Sequence, residues 1–474
     1  MELNLVIFEE ALSKSPLSVQ HTARALFDRL DPNLDPQVAF LAVPWDGKSK
    51  SLLVGTENCK CSVGWFEGIR GALDEIPESW LTSLAPDVRG VIWQQKVNIK
   101  VAIQNTLHSK SEVLGHVSFA TFPEFMHGYC VCMVLQLSKA AIESHYSLSR
   151  NVVRHPHETS LIHEAAIAFV RRCQSSLERL SQGLSVFVLG IKEDQVLRTA
   201  GFWLMRTPEQ ATQSPAAGSL FHACNAISSL RYEGTEGSGR MIVSRQGHPN
   251  VEVMIRLLNP VSLSNYRGIR KLLCDSSVIH GLGRCNELRY DEGAEDLFTV
   301  DFTSHHTWKL LHAGHEMMVV SYGQPSLPKR PIDEEDFKAR IRREFVDLDN
   351  KSLMNLWEVV HQAANQKHGT MIVVSDKADE ECKRLATKST PIKPIRLSPE
   401  LMLPLSSIDG AILIEPDTTC HAIGVILDGM ASDRGDPARG ARYNSAIRYI
   451  DYVRAQNHSC LIVVVSEDGM IDLF

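Results

Sequence analysis

Four short runs in the last quarter of the chain, TMIVVS from Thr370, GAILIEP from Gly410, CHAIGVIL from Cys420 and CLIVVVS from Cys460, are almost wholly apolar and rich in β-branched residues. A strand with one face in water alternates apolar with polar residues, so runs of this kind read as strands buried on both faces. Such strands need helices above and below them. SLMNLWEVVHQAANQKHG sets Leu353, Leu356, Trp357, Val360 and Ala364 on one helical stripe and ends at Gly369, a residue suited to terminating a helix. NSAIRYIDYVRAQNH lies between the last two strands. This part of the chain is expected to be an α/β domain.

At 474 residues the chain exceeds the size at which one hydrophobic core keeps growing, so two or three domains are expected. The clearest seam is YGQPSLPKRPIDEEDFKARIRREF, where Pro325, Pro328 and Pro331 interrupt a β-like region ahead of a helical pattern. The cut falls near residue 330, leaving residues 1–330 and 331–474. The first part reads as α+β, with two subdomains if a break falls near 150–160. Helical stripes follow Ser18 (Val19, Ala23, Leu26, Phe27, Leu30) and Ser160, both suited to capping. Short strands such as QVAFLAV, LSVFVLGI, GRMIVSR, VEVMIRLL, LFTVDF and EMMVVSY surround them. The loop EGTEGSGR lacks the Gly-Lys-Ser/Thr ending of a phosphate-binding P-loop.

A formal net charge of −7 argues against broad nucleic-acid binding, which needs an excess of Lys and Arg along one face. The start, MELNLVIFEEALSKSPLS, is acidic where a signal peptide is basic, and no apolar run approaches the roughly 18 residues of a membrane span. The expected location is the cytoplasm, with no membrane partner. Eleven scattered cysteines then read as reduced thiols. Cys59 with Cys61 and Cys130 with Cys132 have strand spacing; a four-thiolate zinc site is weighed against core cysteines, and CVCMVLQL with no Cys-x-x-Cys knuckle favours the core. Two groups of histidines, His155, His157 and His163, then His305, His306, His312 and His315, match no metal-ligand spacing and read as solvated loop residues.

Chemistry concentrates in three stretches of the last part. In SSIDGAILI, Asp409 stands immediately before a strand, and Gly410 lets backbone or ligand approach closely. In RGDPARGARYNSA, Gly435 and Gly440 flank a loop carrying Arg434 and Arg439, and Arg442 follows at a helix start, where amides and the helix dipole favour anions. In VVVSEDG, Ser466 and Glu467 end a buried strand, where open α/β sheets commonly bind ligands. Carboxylates at two strand edges with arginines at a helix start suit a metal-assisted phosphate site; a solvated loop is the alternative on physical grounds alone.

Taken together and in this order, the three stretches resemble the diadenylate cyclase domain of the DNA-integrity-scanning protein and its relatives. That family reads Asp-Gly-Ala before a strand, Gly-Thr-Arg-His-Arg at a helix start about 30 residues on, and Ser-Glu after a strand. Asp409-Gly410-Ala411 and Ser466-Glu467 match; GARYN keeps Gly440 and Arg442 but has Ala441 for Thr, Tyr443 for His and Asn444 for the second Arg. The resemblance covers about residues 333–474, and the preceding region resembles the probable sensor domain called DACNV. It implies a mixed β-sheet flanked by helices, and condensation of two ATP molecules into cyclic di-AMP with a divalent cation, Mg²⁺ or Mn²⁺. Asp409 would bind metal and help the ribose 3′-hydroxyl lose its proton, and Arg442 would neutralise phosphate charge. Gly410, Ala411, Leu427, Arg439, Gly440, Ala441, Tyr443, Asn444 and Ser466 would line the ATP site, Leu427 against adenine, with Glu467 on the metal. Arg439 or Arg434 could supply the charge missing at Asn444. The implied partners are ATP, a second copy of the chain facing the first, and a signal for the N-terminal region that the sequence does not name. The alternatives are a non-catalytic nucleotide or cyclic-dinucleotide sensing module, or a cyclase with another product.

Overall fold

The computed structural model describes residues 18–44, 52–55, 59, 61–62, 86–126, 128–149, 158–182, 192–212, 219–232, 235–236, 239–263, 272–274, 278–286, 289–328, 334–364, 369–406, 408–429, 441–456, 458–465 and 471–474. Two compact units divide the chain, Met1–Pro328 and Lys329–Phe474. Among the described residues, no helix is long and apolar enough to cross a membrane.

In the first unit, the strand Tyr129–Ser138 lies between Gln37–Pro44 and His116–Ala120, antiparallel to both. Alternate residues serve two clusters. Val38, Phe40, Val131, Met133 and Leu135 pack with the helix Leu161–Ser181, whose cap Ser160 accepts the His163 amide as the sequence anticipates. Leu41, Val43, Cys130, Cys132 and Val134 pack instead with Ile99, Ile103 and Leu107 of the helix Pro86–Leu114. That helix is missing from the sequence reading because its buried stripe is only this narrow. An eight-stranded sheet follows, its strands in the order Gln324–Ser326, His315–Ser321, Thr307–His312, Leu297–Ser304, Gly239–Ser244, Leu272–Cys274, Val278–Cys285 and Val251–Ser262. Leu204, Phe221 and Cys224 of the intervening helices share one core with Met241, Val300 and Trp308 of this sheet. LSVFVLGI, His155 and His157 lie outside the described residues.

Cys130 and Cys132 are core residues, and burial pushes the Cys132 thiol up to about 12. Cys59 and Cys61 are half-buried outside any described strand, and the hydrogen bond from Cys61 brings the Cys59 thiol down to about 7. No group of three or more His, Cys, Asp or Glu among the described residues is placed to hold a metal ion. The histidine expectation needs correcting, since His163 and His312 are buried, not solvated. Each is buried against hydroxyls: Ser160 lies 2.9 Å from His163 Nδ1, and Tyr146 and Tyr290 lie 2.6 and 3.2 Å from the two ring nitrogens of His312.

The second unit contains, in chain order, α1 (Glu334–Glu344), α2 (Asn350–Ala364), β1 (Thr370–Ser375), α3 (Ala378–Arg384), β2 (Thr390–Arg396), α4 (Met402–Ser406), β3 (Ala411–Ile414), β4 (Thr419–Val425), α5 (Ala441–Arg454), β5 (Cys460–Val465) and β6 (Ile471–Leu473). The four runs singled out in the sequence are β1, β3, β4 and β5. They belong to a six-stranded mixed sheet of order β2-β4-β3-β1-β5-β6, parallel only between β1 and β3. Successive residues enter different clusters, as expected of strands buried on both faces. Ile372, Val374, Ile412, Ile414 and Val463 pack with Phe337 and Ile341 of α1 and Leu353, Leu356 and Val360 of α2. Met371, Val373, Leu413, Ile462 and Val464 pack with Cys382 of α3 and Ala446, Tyr449, Ile450 and Val453 of α5.

Candidate functional site

One row across the second unit's sheet holds Val425, Ala411, Met371 and Val464 as successive partners. β1 and β3 begin at this row, whereas β4 and β5 end at or beside it. The residues before Ala411 and after Val425 therefore leave the sheet side by side, and β5 ends at Val465, next to the same row. Asp409 and the end of β4 lie apart along the chain and are neighbours only through strand order.

Asp409 and Gly410 form the bend into β3. Gly410 has φ +103°, and a Cβ there would stand 2.6 Å from the carbonyl carbon of Gly424. Only glycine lets β3 start this close to the end of β4. The Asp409 side chain is fully exposed; its Oδ1 accepts from the Gly410 amide at 3.0 Å and lies 3.5 Å from Arg442 Nη2. A long ion pair between exposed groups holds little by itself, so the carboxylate is available to a ligand.

Arg442 occupies the first turn of α5 and is only about a third exposed. Its Nε is buried without a hydrogen-bond partner among the described residues, and so is Thr370 Oγ1 at the start of β1. A buried donor left unmade is unfavourable, and an arginine at a helix start whose Nε has no partner among the described residues suits an anion that completes it.

The other expected positions fall around this pair. Leu427 is half-buried against the cluster of β1, β3 and α5. Ala411 is fully buried in that cluster, so what it can offer a ligand is backbone. Ala441 is exposed at the first position of α5. Tyr443 packs edge-on against Phe474 at 5.0 Å, and the Asn444 carbonyl accepts from Arg448 Nε at 3.1 Å. Arg434, Gly435, Arg439, Gly440, Ser466 and Glu467 lie outside the described residues.

The structure adds residues that the sequence reading lacks. Asp428, directly after Leu427, accepts two hydrogen bonds from Arg384 at 2.8 and 3.1 Å and one from Lys388 at 3.1 Å. Arg384 also holds Glu381 at 2.8 Å and lies 4.8 Å over the Tyr452 ring, while Tyr449 donates to Glu381 at 2.6 Å. Hydrogen bonds from Arg384 hold the Asp428 carboxyl below the usual carboxylate range, and burial pushes the Tyr449 phenol up. Gly429 follows, where a Cβ would stand 2.5 Å from the Arg448 carbonyl oxygen of α5. The Asp-Gly pair after a strand was a visible turn signal, but nothing in the sequence pointed from it to Arg384.

Comparison with known proteins bears on this unit and on the first. Residues 358–474 match the family model described as DisA bacterial checkpoint controller nucleotide-binding. Residues 14–205 and 218–314 match two models, probable sensor domain DACNG and probable sensor domain DACNH, so the expected sensor of the DACNV type is met as two consecutive domains. Among solved structures, a double mutant of DacA from Staphylococcus aureus is 21% identical, with 26% of this chain and 80% of that one covered and a TM-score of 0.22. A hypothetical membrane spanning protein from Bacillus cereus is 23% identical, with 29% of this chain and 65% of that one covered and a TM-score of 0.23. A search of curated proteins finds no significant match. Residues 358–474, which hold the Asp409-Gly410 bend and Arg442 at one end of their sheet, thus resemble the DisA checkpoint-controller nucleotide-binding domain, and two matches to probable sensor domains precede them.

Proposed function

We propose that the second unit is a cytoplasmic diadenylate cyclase, condensing two ATP molecules into cyclic di-AMP and two pyrophosphates under control of the N-terminal sensor region. The observation that carries this reading is the meeting, at one sheet end, of a free carboxylate on Asp409 with the uncompleted guanidinium of Arg442. Each ribose 3′-oxygen attacks the α-phosphorus of the other nucleotide; a P–O bond forms, the α–β phosphoanhydride breaks, and the hydroxyl proton is lost. Asp409 assists that proton loss, and Arg442 neutralises charge on the phosphates. Gly410 and Ala411 present backbone to the nucleotide, Leu427 packs against adenine, and Ser466 and Arg439 contact the triphosphate. Mg²⁺ or Mn²⁺ keeps several waters and takes one or two carboxylates plus phosphate oxygens, which an exposed Asp409 fits; Glu467 is its proposed companion. Bound there, the ion supplies charge neutralisation at the phosphates. The diadenylate-cyclase arrangement proposed for the unit is a mixed sheet with helices over both faces.

One chain carries one set of these residues, so a second copy must face the first to bring two nucleotides together. Radiolabelled ATP with Mg²⁺ or Mn²⁺, resolved against a cyclic di-AMP standard over a protein dilution series, tests both points. Product whose rate per protomer rises with protein concentration is expected; undiminished activity in a preparation that light scattering finds monomeric throughout would end the facing-dimer mechanism. A second reading, nucleotide binding without turnover, draws on Asn444 standing where the family has its second arginine. ATP bound and returned unchanged would establish it, and a different labelled product would replace cyclic di-AMP.

A further inference from the structure

We infer that Arg384 and Asp428 form a clamp that ties the end of β4 to α5 and so positions Arg442 in the nucleotide site, an inference that rests on the reading of that site given above. The loop leaves β4 at Val425 and enters α5 at Ala441, bringing Arg442 beside Asp409. Its entrance is tied three ways to the α3 region. The Ile426 amide donates to the Lys388 carbonyl at 2.9 Å, Lys388 Nζ donates to Asp428, and Arg384 grips both Asp428 oxygens.

Arg384 holds the exit helix as well. Its guanidinium lies over Tyr452 of α5, and its second carboxylate partner, the buried Glu381, accepts from Tyr449 of α5. Tyr449 lies seven residues, close to two helical turns, after Arg442 and therefore on the same side of α5. One side chain thus joins the strand end where the loop begins to the helix where it finishes. Gly429 allows this, since any side chain there would collide with the Arg448 backbone and lift the loop off α5. A planar five-donor fork meets both oxygens of two carboxylates at once, which the single nitrogen of a lysine cannot do.

Arg384 and Asp428 touch no proposed reacting atom. They are positioning residues, and their loss should displace the start of α5 and Arg442 without unfolding the unit, because Asp428 is a third exposed. Full-length Asp428→Asn and Arg384→Lys are to be compared with the parent by hydrogen–deuterium exchange and by titration with ATP. Expected are faster exchange at the Ile426 amide and in the first turn of α5, and ATP affinity lower by about tenfold, with the thermal midpoint nearly unchanged. Asp428→Glu should restore part of the affinity, which general destabilisation would not do. Unaltered exchange in the single variants would remove the clamp. Altered exchange with unaltered ATP affinity would leave an anchor with no positioning role and overturn the inference, whereas no ATP binding by the parent protein would refute the nucleotide reading first and the positioning role with it.

Discussion

The two ends of the second unit's sheet treat their polar groups in opposite ways. At the far end, where β3 turns into β4, nearly everything is paired. His421 holds Glu415 at 3.0 Å, Asn355 donates to Thr418 Oγ1 at 2.6 Å and to the Leu397 carbonyl at 3.2 Å, and Arg396 holds Ser352 and the Asp417 carbonyl at 2.9 Å each. At the near end, Asp409 is fully exposed, and the Arg442 Nε and the Thr370 hydroxyl are buried without a partner among the described residues. The far end is a finished fold; the near end is stable only as far as the core holds it. Polar groups left unmade among the described residues at one sheet end, with the opposite end nearly all paired, suit a ligand that completes the structure.

Substitutions can break this contrast, and the largest effect should come from Asp409→Asn. It touches no core, so the fold and most ATP affinity should persist while cyclic di-AMP formation falls by about a hundredfold or more. Comparable turnover in variant and parent, measured with labelled ATP, would refute the role of the near end. Next is Gly410→Ala, which places a methyl group against the Gly424 backbone at a positive φ; a cost of about 2–3 kcal/mol is expected, visible as earlier hydrogen exchange of β3 and β4. Arg442→Met should weaken ATP binding by about tenfold and leave stability nearly unchanged, because the buried Nε has no partner among the described residues and the Asp409 carboxylate is fully exposed. Isothermal titration and a melting curve on the same preparation separate the two.

The far end should respond in the reverse sense. Asn355→Ala leaves the Leu397 carbonyl and Thr418 short of a donor, costing about 1–2 kcal/mol in denaturant unfolding with turnover unaltered. Reduced activity matching the reduced stability would show that the ends are not independent. The smallest effect is one of pH. The Asp428 carboxyl is held below its ordinary value of 3.8, so its contribution to stability is present above about pH 4 and is lost as pH falls through the lower folded value. Parent and Asp428→Asn should therefore differ slightly in stability above pH 4 and converge below it.

The reading of the sequence was most faithful where one physical rule acted alone. β1, β3, β4 and β5 were legible because burial on both faces leaves no polar positions, and the stripe of Leu353, Leu356 and Val360 because a helix repeats its contacts every three or four residues. Asp409, Gly410 and Arg442 were legible because a carboxylate at a strand edge, a glycine beside it and an arginine at a helix start are each unusual. The helix Pro86–Leu114 escaped because its buried stripe is three residues of a long, mixed surface. His312 looked solvated because its hydroxyl partners, Tyr146 and Tyr290, are supplied by distant segments.

By itself, then, the amino-acid order settled that β1, β3, β4 and β5 are strands, that α2 and α5 are helices, and which residue types could hold a phosphate, since those properties depend on neighbours a few positions away. Only the tertiary structure decided that Val425, Ala411, Met371 and Val464 share a row, and hence that Asp409 and Arg442, 33 positions apart, come within 3.5 Å. The same holds for Arg384 and Asp428, whose pairing joins a helix to a loop across 44 positions. Strand order and long-range ion pairs arise from the packing of the whole unit, and no local pattern encodes which distant partner a buried guanidinium or an exposed carboxylate will meet.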